Sequence, residues 1–243
     1  MAGPVMAQQM GGGDLGNALT GAMTGDGATT GIDSLTGRSL MLFAAITLLS
    51  LAPGLAIMVT CFPFIVTVLS ILRQAIGLQQ APPNMLIVSL ALFLTWFIMD
   101  PVLTECWQVA IDPLMQGAIT PDVAFQRGIV PFRDFMMTRV DPETLQHMAE
   151  LRPPPADPAA PAPLPVLVPS FILSEISRAF QIGFMVYLPF LIIDLVVSAV
   201  LMAMGMMMVP PAVVSLPFKL AFFVVADGWT LISAALVRSY GGS

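Results

Sequence analysis

The stretch LMAMGMMMVPPAVVSL, residues Leu201–Leu216, carries five methionines immediately before two consecutive prolines. It lies inside an uncharged run from Leu195 to Phe218. Methionine is unbranched and polarizable, so it fits against surfaces of changing shape, and proline cannot continue a helix. The stretch therefore predicts a soft apolar loop or helix end. Clustered methionines more commonly fill gaps in a core, and the rest of the chain decides between these two uses.

The chain as a whole has the composition of a membrane protein. Of its 243 residues, 57% are hydrophobic and only 10% are charged, and its mean hydropathy is +0.87. A soluble domain usually carries about 25% charged residues. The runs 39–72 and 74–99 contain no charge, and each is longer than the ~20 residues that a membrane helix needs. The net charge of -6, with few Lys and Arg, argues against a nucleic-acid partner.

Changes in composition divide the chain into five segments. The first, 1–38, is rich in small residues; it is predicted to be flexible, and its start is interpreted as the remnant of a signal peptide or as a disordered tail. The others are a first apolar helical block (39–100), a polar helical domain (101–152), a proline-rich linker (153–165) and a second apolar block with the methionine-rich loop (166–243).

Prolines set the helix boundaries that the sequence predicts. In the first block they favour shorter helices over one rod, with Asn84 as an N-cap and Asp100-Pro101 as a helix end. In the polar domain they predict a helix from Thr120-Pro121 to Gly128, a second from Pro131 and a third from Asp141-Pro142. In the second block they predict pieces of roughly one to two dozen residues, with breaks at Pro169, Pro189, Pro210, Pro211 and Pro217.

Charged residues inside the second apolar block are expected to be paired. An ionisable group in lipid is costly, and breaking a buried pair costs ~3–5 kcal/mol. We expect Glu175 or Asp194 to pair with Lys219 or Arg178 across a boundary between subunits. A local pair between Glu175 and Arg178 within one helix is the alternative.

No motif in the sequence supports catalysis or a bound cofactor. Phosphate-binding loops, zinc-protease motifs and nucleophile elbows are absent. Cys61 and Cys106 have neither the spacing nor the neighbouring histidine of a metal site. An intramembrane pair of catalytic aspartates, Asp194 and Asp227, would require a close approach that a sequence cannot supply. A secondary transporter is a more plausible alternative than an aspartate-dependent enzyme, because such transporters contain broken helices and charges within the membrane. Against this alternative, the chain is short and shows no internal repeat.

The charge distribution also predicts a topology. Acidic residues outnumber basic ones in the polar domain 101–152. Cytoplasmic loops of membrane proteins carry an excess of Lys and Arg, so this domain is predicted to lie outside the cytoplasm. Arg73 then marks a turn on the cytoplasmic side.

The chain carries seven motifs in order along the sequence: LRQAIG (72–77), APPN (81–84), LALFLTWFIMDP (90–101), PSFILSEISRAFQIGF (169–184), PFLIID (189–194), MAMGMMMVPP (202–211) and LPFKLAFFVVADGW (216–229). Together they resemble the FliP family, the P subunit of the type III protein-export gate of the flagellum. They occur in the family's order and extend from about residue 40 to 238, excluding the linker. Two departures are Cys61–Phe64, where the family usually has Ser-Phe-x-Arg/Lys, and Met85, where flagellar members often have Gln and virulence-secretion relatives Met.

This resemblance implies an all-α, membrane-associated fold of helical hairpins with a small periplasmic helical domain, assembling into a helical ring. It implies a pentamer of this chain with Q and R subunits, in the inner membrane at the flagellar basal body. Further partners are the large export-gate membrane proteins and the unfolded flagellar proteins that pass through the pore. The family's methionine gasket maps onto Met206, Met207 and Met208, with Met204 as the next candidate. The equivalent subunit of a virulence secretion system is the alternative.

Overall fold

The computed structural model of the protein describes residues 43, 46, 47, 50, 54, 56–78, 82–153, 161–206 and 208–241. The chain divides into two units, Met1–Gly54 and Leu55–Ser243. The described residues of the first unit are helical and exposed. The predicted N-terminal segment 1–38 lies outside the described residues.

The described part of the second unit is helical apart from short connections, which confirms the predicted all-α class. A five-residue π-helix continues one of the long helices. The elements are α1 (Phe62–Ile76), α2 (Asn84–Cys106), the π-helix (Trp107–Ile111), α3 (Asp112–Met115), α4 (Pro121–Arg139), α5 (Pro142–Glu150), α6 (Leu164–Ala203), α7 (Pro211–Val225) and α8 (Gly228–Gly241).

Some helix starts lie where the sequence predicts them. Helix α4 begins at Pro121 after the N-cap Thr120, and α5 begins at Pro142 after the N-cap Asp141. The Asp141 carboxylate accepts hydrogen bonds from the backbone N–H of Thr144 at 2.9 Å and from its hydroxyl at 2.8 Å. These two hydrogen bonds hold the pKa of Asp141 below its usual value, because they favour the ionised form.

Other predicted boundaries are wrong, because five of the prolines lie inside helices. Helix α2 begins at Asn84 itself, with Pro83 as its N-cap, and continues through Pro101 to Cys106. Helix α4 continues through Gly128 and Pro131 to Arg139. An internal proline removes one hydrogen bond and leaves the rest of the ladder intact, so packing against neighbours can offset its cost. The other prolines that fail to break a helix are Pro169 and Pro189 in α6 and Pro217 in α7.

Helix α1 is the innermost helix, and it packs mainly against α6 and α2. Seven of its fifteen residues are buried, and Gln74 is its one exposed residue. The approach of α6 depends on Gly183, where an added Cβ would lie 2.4 Å from the Cδ1 atom of Ile71. The position therefore needs a residue without a side chain, since interiors are packed without spare volume.

Among the described residues, two helical stretches are long and apolar enough to cross a membrane. They are Asn84–Met115, 32 residues, and α6, 40 residues. Helices α7 and α8 form a third candidate span, bent by 61° between them. A 40-residue helix is ~60 Å long, about twice the ~30 Å hydrocarbon thickness. A large part of α6 must therefore lie outside the hydrocarbon layer.

Candidate functional site

The methionine-rich loop begins where backbone geometry ends α6. Gly205 has a left-handed φ of +74°, a conformation that glycine adopts without penalty. Its N–H donates to the carbonyl of Met202, and the N–H of Met206 donates to the carbonyl of Leu201, both at 3.0 Å. This pair of hydrogen bonds is the Schellman motif of helix C-termini. Pro210 then caps α7, so the loop or helix end predicted for this stretch and the break predicted at Pro210 and Pro211 are confirmed.

The methionine side chains of this loop face outward. Met208 is 99% exposed, Met204 59% and Met206 38%. Met207 lies outside the described residues. An apolar cavity of about 630 Å³ adjoins the loop, and residues of α6 and α7 line it together with Met204, Met206 and Val209. The described methionines of the loop are therefore not core fillers within this chain.

One ion pair joins the two helices that hold the loop. Lys219 of α7 donates to the carboxylate of Asp194 of α6 at 2.6 Å, and the Ser215 hydroxyl donates to the same carboxylate at 2.6 Å. Lys219 is only 6% exposed, whereas the Asp194 side chain is 33% exposed. The ammonium also lies beside the C-terminal end of α1, since a Cβ added to Gly77 would be 4.0 Å from its nitrogen. The negative end of the helix dipole favours a cation there.

A second charged cluster surrounds the fully buried carboxylate of Glu175. Arg178 donates to it at 3.0 Å and Arg139 at 3.2 Å. The hydroxyl of Tyr240 donates to its other oxygen. Both pairs, Asp194–Lys219 and Glu175–Arg178, therefore form within one chain, and pairing across a subunit boundary stays a prediction.

Sequence reasoning missed two members of this cluster, Arg139 and Tyr240. Arg139 ends a helix of the polar domain, where a charge is expected to be solvated, and it is 36 residues from Glu175. Tyr240 is 65 residues from Glu175. The only local signal is that a tyrosine on an otherwise apolar helix needs a partner for its hydroxyl when it is buried.

The two clusters lie at opposite ends of α1. Tyr240 packs edge-on against Phe64 in the first turn of α1, with ring centroids 5.5 Å apart. Lys219 lies beside Gly77, which follows the last turn. Glu175 and Asp194 are 19 residues apart on α6, ~28 Å along the helix axis. An apolar segment of about one membrane thickness therefore separates the clusters, and the methionine loop follows the Asp194 end.

Comparison with known proteins identifies the family. The model of the FliP family matches residues 45–236. The chain belongs to the FliP family. It is 48% identical over 207 residues to the flagellar biosynthetic protein FliP of Caulobacter vibrioides, covering 85% of this chain and 78% of the relative. It is 44% identical over 205 residues to the FliP protein of Bacillus subtilis, covering 83% and 92%.

A third FliP relative, from Pectobacterium carotovorum, is 47% identical over 210 residues, covering 85% of this chain and 80% of the relative. Members of the FliP family are components of the flagellar export apparatus and not enzymes. With its long apolar helices, this chain is a membrane-associated flagellar protein.

Proposed function

We propose that this chain is a pore-forming subunit of the flagellar protein-export gate, in which methionine loops from several copies close a central pore. The observation that carries this proposal is the exposure of Met204, Met206 and Met208 beside Gly205, where the chain leaves α6. An apolar constriction excludes ions by dewetting. Methionine can also deform around a passing chain, because it has three flexible torsions and needs no hydrogen bond.

The apolar surface of α6 supports an assembly of several copies. Large side chains along it are more than half exposed, although the helix is too long to be covered by lipid alone. Monomeric soluble proteins rarely expose such extended apolar patches. Exposed large apolar side chains continue from Leu173 to Met202, ~44 Å along the helix axis, so a ~30 Å hydrocarbon layer cannot cover them all. Neighbouring copies of this chain can cover the remainder, and repeated copies close into a ring by rotation. The exposed residues are Phe180, Phe184, Met185, Ile192, Leu195, Val196 and Val200.

The names of the relatives favour the flagellar system over a virulence system. The Caulobacter, Bacillus and Pectobacterium relatives are all flagellar biosynthetic proteins. The proposed assembly is a pentamer of this chain with Q and R subunits in the inner membrane at the basal body. It stands beside the large export-gate membrane proteins and passes unfolded flagellar proteins.

Electron microscopy of the purified complex tests the assembly. We expect several copies of this chain around an axial pore, with residues 204–210 at the narrowest point. Single chains, or a ring whose methionine loops face lipid, would refute the pore proposal. A chain with two internally related halves and an alternating cavity would instead support the secondary transporter.

The polar domain is proposed to be periplasmic, and a cysteine at Gln146 tests this. Gln146 is exposed on α5, in the segment whose acidic excess predicts an external position. We expect Gln146→Cys in intact cells to react with a membrane-impermeant thiol reagent that reaches only the periplasm. A Cys106→Ser background removes the half-buried native thiol, while Cys61 is buried.

The matched control for this labelling is Met85→Cys. Met85 is 80% exposed at the start of α2, next to the turn that Arg73 assigns to the cytoplasm. It should react only after the cytoplasmic side is opened. Labelling of Gln146→Cys from the cytoplasmic side alone would reverse the topology.

A further inference from the structure

The Glu175 carboxylate collects donors from three separate elements. Arg139 closes α4, Arg178 lies one turn further along α6, and Tyr240 lies in the last turn of α8. The two guanidinium groups bind one carboxylate oxygen, while the Tyr240 hydroxyl occupies the other. Because Glu175 is completely buried, an oxygen without a donor would carry the cost of desolvation uncompensated.

Helix α8 also holds Arg139 through two further contacts. The guanidinium carbon lies 4.0 Å from the centroid of the Tyr240 ring, a cation–π distance. One of its terminal nitrogens donates to the carbonyl of Ser239 at 2.8 Å. Its other terminal nitrogen, Nη2, is buried and has no hydrogen-bond partner among the described residues. The ring face therefore stabilises a cation that hydrogen bonds alone leave incompletely satisfied.

These contacts connect parts of the chain that are far apart in sequence. Arg139 belongs to the polar domain, Glu175 to the long apolar helix and Tyr240 to the last helix. Phe135 of α4 stacks on the Tyr240 ring at 6.1 Å, and the Arg139 carbonyl accepts from Arg178 at 3.3 Å. Tyr240 touches both charged partners and the aromatic residue beside them.

We infer that Tyr240 is a positioning residue for the Arg139–Glu175 pair, and that α8 is a strap that fastens the polar domain to α6. Two contacts of Tyr240 hold this strap: its hydroxyl donates to Glu175, and its ring packs against the Arg139 guanidinium. This inference does not depend on the pore, because all the groups involved lie in one chain. It requires that the last turns of α4 and α8 open together.

Hydrogen exchange on the purified full-length protein in detergent tests the strap with the variant Tyr240→Phe. Phenylalanine keeps the ring and removes only the hydroxyl. We expect amides in the last turns of both α4 and α8 to exchange roughly tenfold faster, the size of effect expected for losing a hydrogen bond to a charged group. Trypsin should also cleave faster after the exposed Arg238, since cleavage there needs the end of α8 to open.

Tyr187→Phe is the matched control. Tyr187, the other of the two tyrosines, is half-buried in α6 against the main core, and its hydroxyl has no hydrogen bond within the described part of the chain. Its removal should leave exchange in α4 and α8 unchanged. Faster exchange in α8 alone, with α4 unaffected, would show that Tyr240 anchors its own helix and does not position Arg139, which overturns the inference. Unchanged exchange in both helices would overturn it as well.

A measurement on the unaltered chain covers the case in which the variant cannot be recovered. If the strap is one cooperative unit, the protected amides of the last turns of α4 and α8 should share one opening free energy and one denaturant dependence. Two clearly different values would contradict the strap.

Discussion

Cells that carry Met206→Ala, Met207→Ala and Met208→Ala together are expected to become leaky to ions and small solutes while the complex still assembles. A resting pore wide enough for an unfolded chain must be closed by side chains that meet across the axis. Alanine side chains are too short to meet across the pore axis, so the constriction widens and fills with water. We expect the permeability to rise by about tenfold or more, because a dewetted apolar gate conducts once water fills it. Uptake of a small impermeant solute, measured beside recovery of the intact complex, gives the result.

Two control variants make this result specific. Met85, Met115 and Met137 are 80%, 74% and 44% exposed and lie outside both the loop and the exposed surface of α6, so the same three-alanine change there should leave the membrane tight. Leucine in place of the three loop methionines keeps the apolar volume but has less torsional freedom. The complex with the three leucines should stay impermeable to small solutes and export proteins more slowly. An assembled triple-alanine complex that does not leak would refute the gasket, and loss of assembly before any leak would favour a core role for these residues.

The loop could be predicted from the sequence because its signals are local. A glycine four residues after the last buried position of α6 and a proline pair at the start of α7 act through their own backbones. Gly205 needs no distant partner to adopt a positive φ. The same is true of Thr120-Pro121 and Asp141-Pro142, whose predicted helix starts the structure confirms.

The interior prolines show where local reasoning fails. Pro101, Pro131 and Pro189 carry the same local penalty as a helix-ending proline, yet each lies inside a continuous helix. What differs is the packing of the residues on either side, and Pro131 is itself buried. Long apolar helices held by neighbours tolerate the lost hydrogen bond. A single sequence does not reveal those neighbours.

The charged residues divide in the same way. The cost of an isolated charge predicts that Asp194 and Lys219 have partners, and the structure pairs them. The cost of an isolated charge does not say which group is the partner. Sequence reasoning therefore misses Arg139 and Tyr240 as partners of Glu175, although it includes the local pair with Arg178. Pairing was predictable from solvation alone, whereas partner identity depends on which helices lie side by side.

The largest effect among the charge variants is expected at the Asp194–Lys219 pair, where the two single variants should differ. Asp194→Ala leaves the Lys219 ammonium, only 6% exposed, without its carboxylate. Breaking a buried pair in this way costs ~3–5 kcal/mol. Lys219→Ala leaves a carboxylate that is 33% exposed and still accepts from Ser215. Water can reach it, so the cost should be smaller. Both variants should lose assembled complex, with Asp194→Ala losing more.

Native gel recovery of the complex measures this loss, and Arg238→Ala is the control. Arg238 is an exposed cation near the end of α8, and exposed charges contribute little to stability. Its variant should assemble normally. Normal assembly of both Asp194→Ala and Lys219→Ala would show that the ion pair is not needed for assembly.

A charge exchange decides whether the pair acts within one chain or between two. The structure joins Asp194 to Lys219 in the same chain at 2.6 Å. A chain that carries both Asp194→Lys and Lys219→Asp should therefore recover part of the lost assembly on its own. Co-expression of two chains with one change each should not recover it, because within each chain the two positions then carry like charges. Recovery in the mixed case would place the pair across a subunit boundary, because only a neighbouring chain can then supply the opposite charge, whereas the doubly exchanged chain recovers in either arrangement. Like charges held close together in a poorly hydrated site are strongly disfavoured, so the two outcomes should differ clearly.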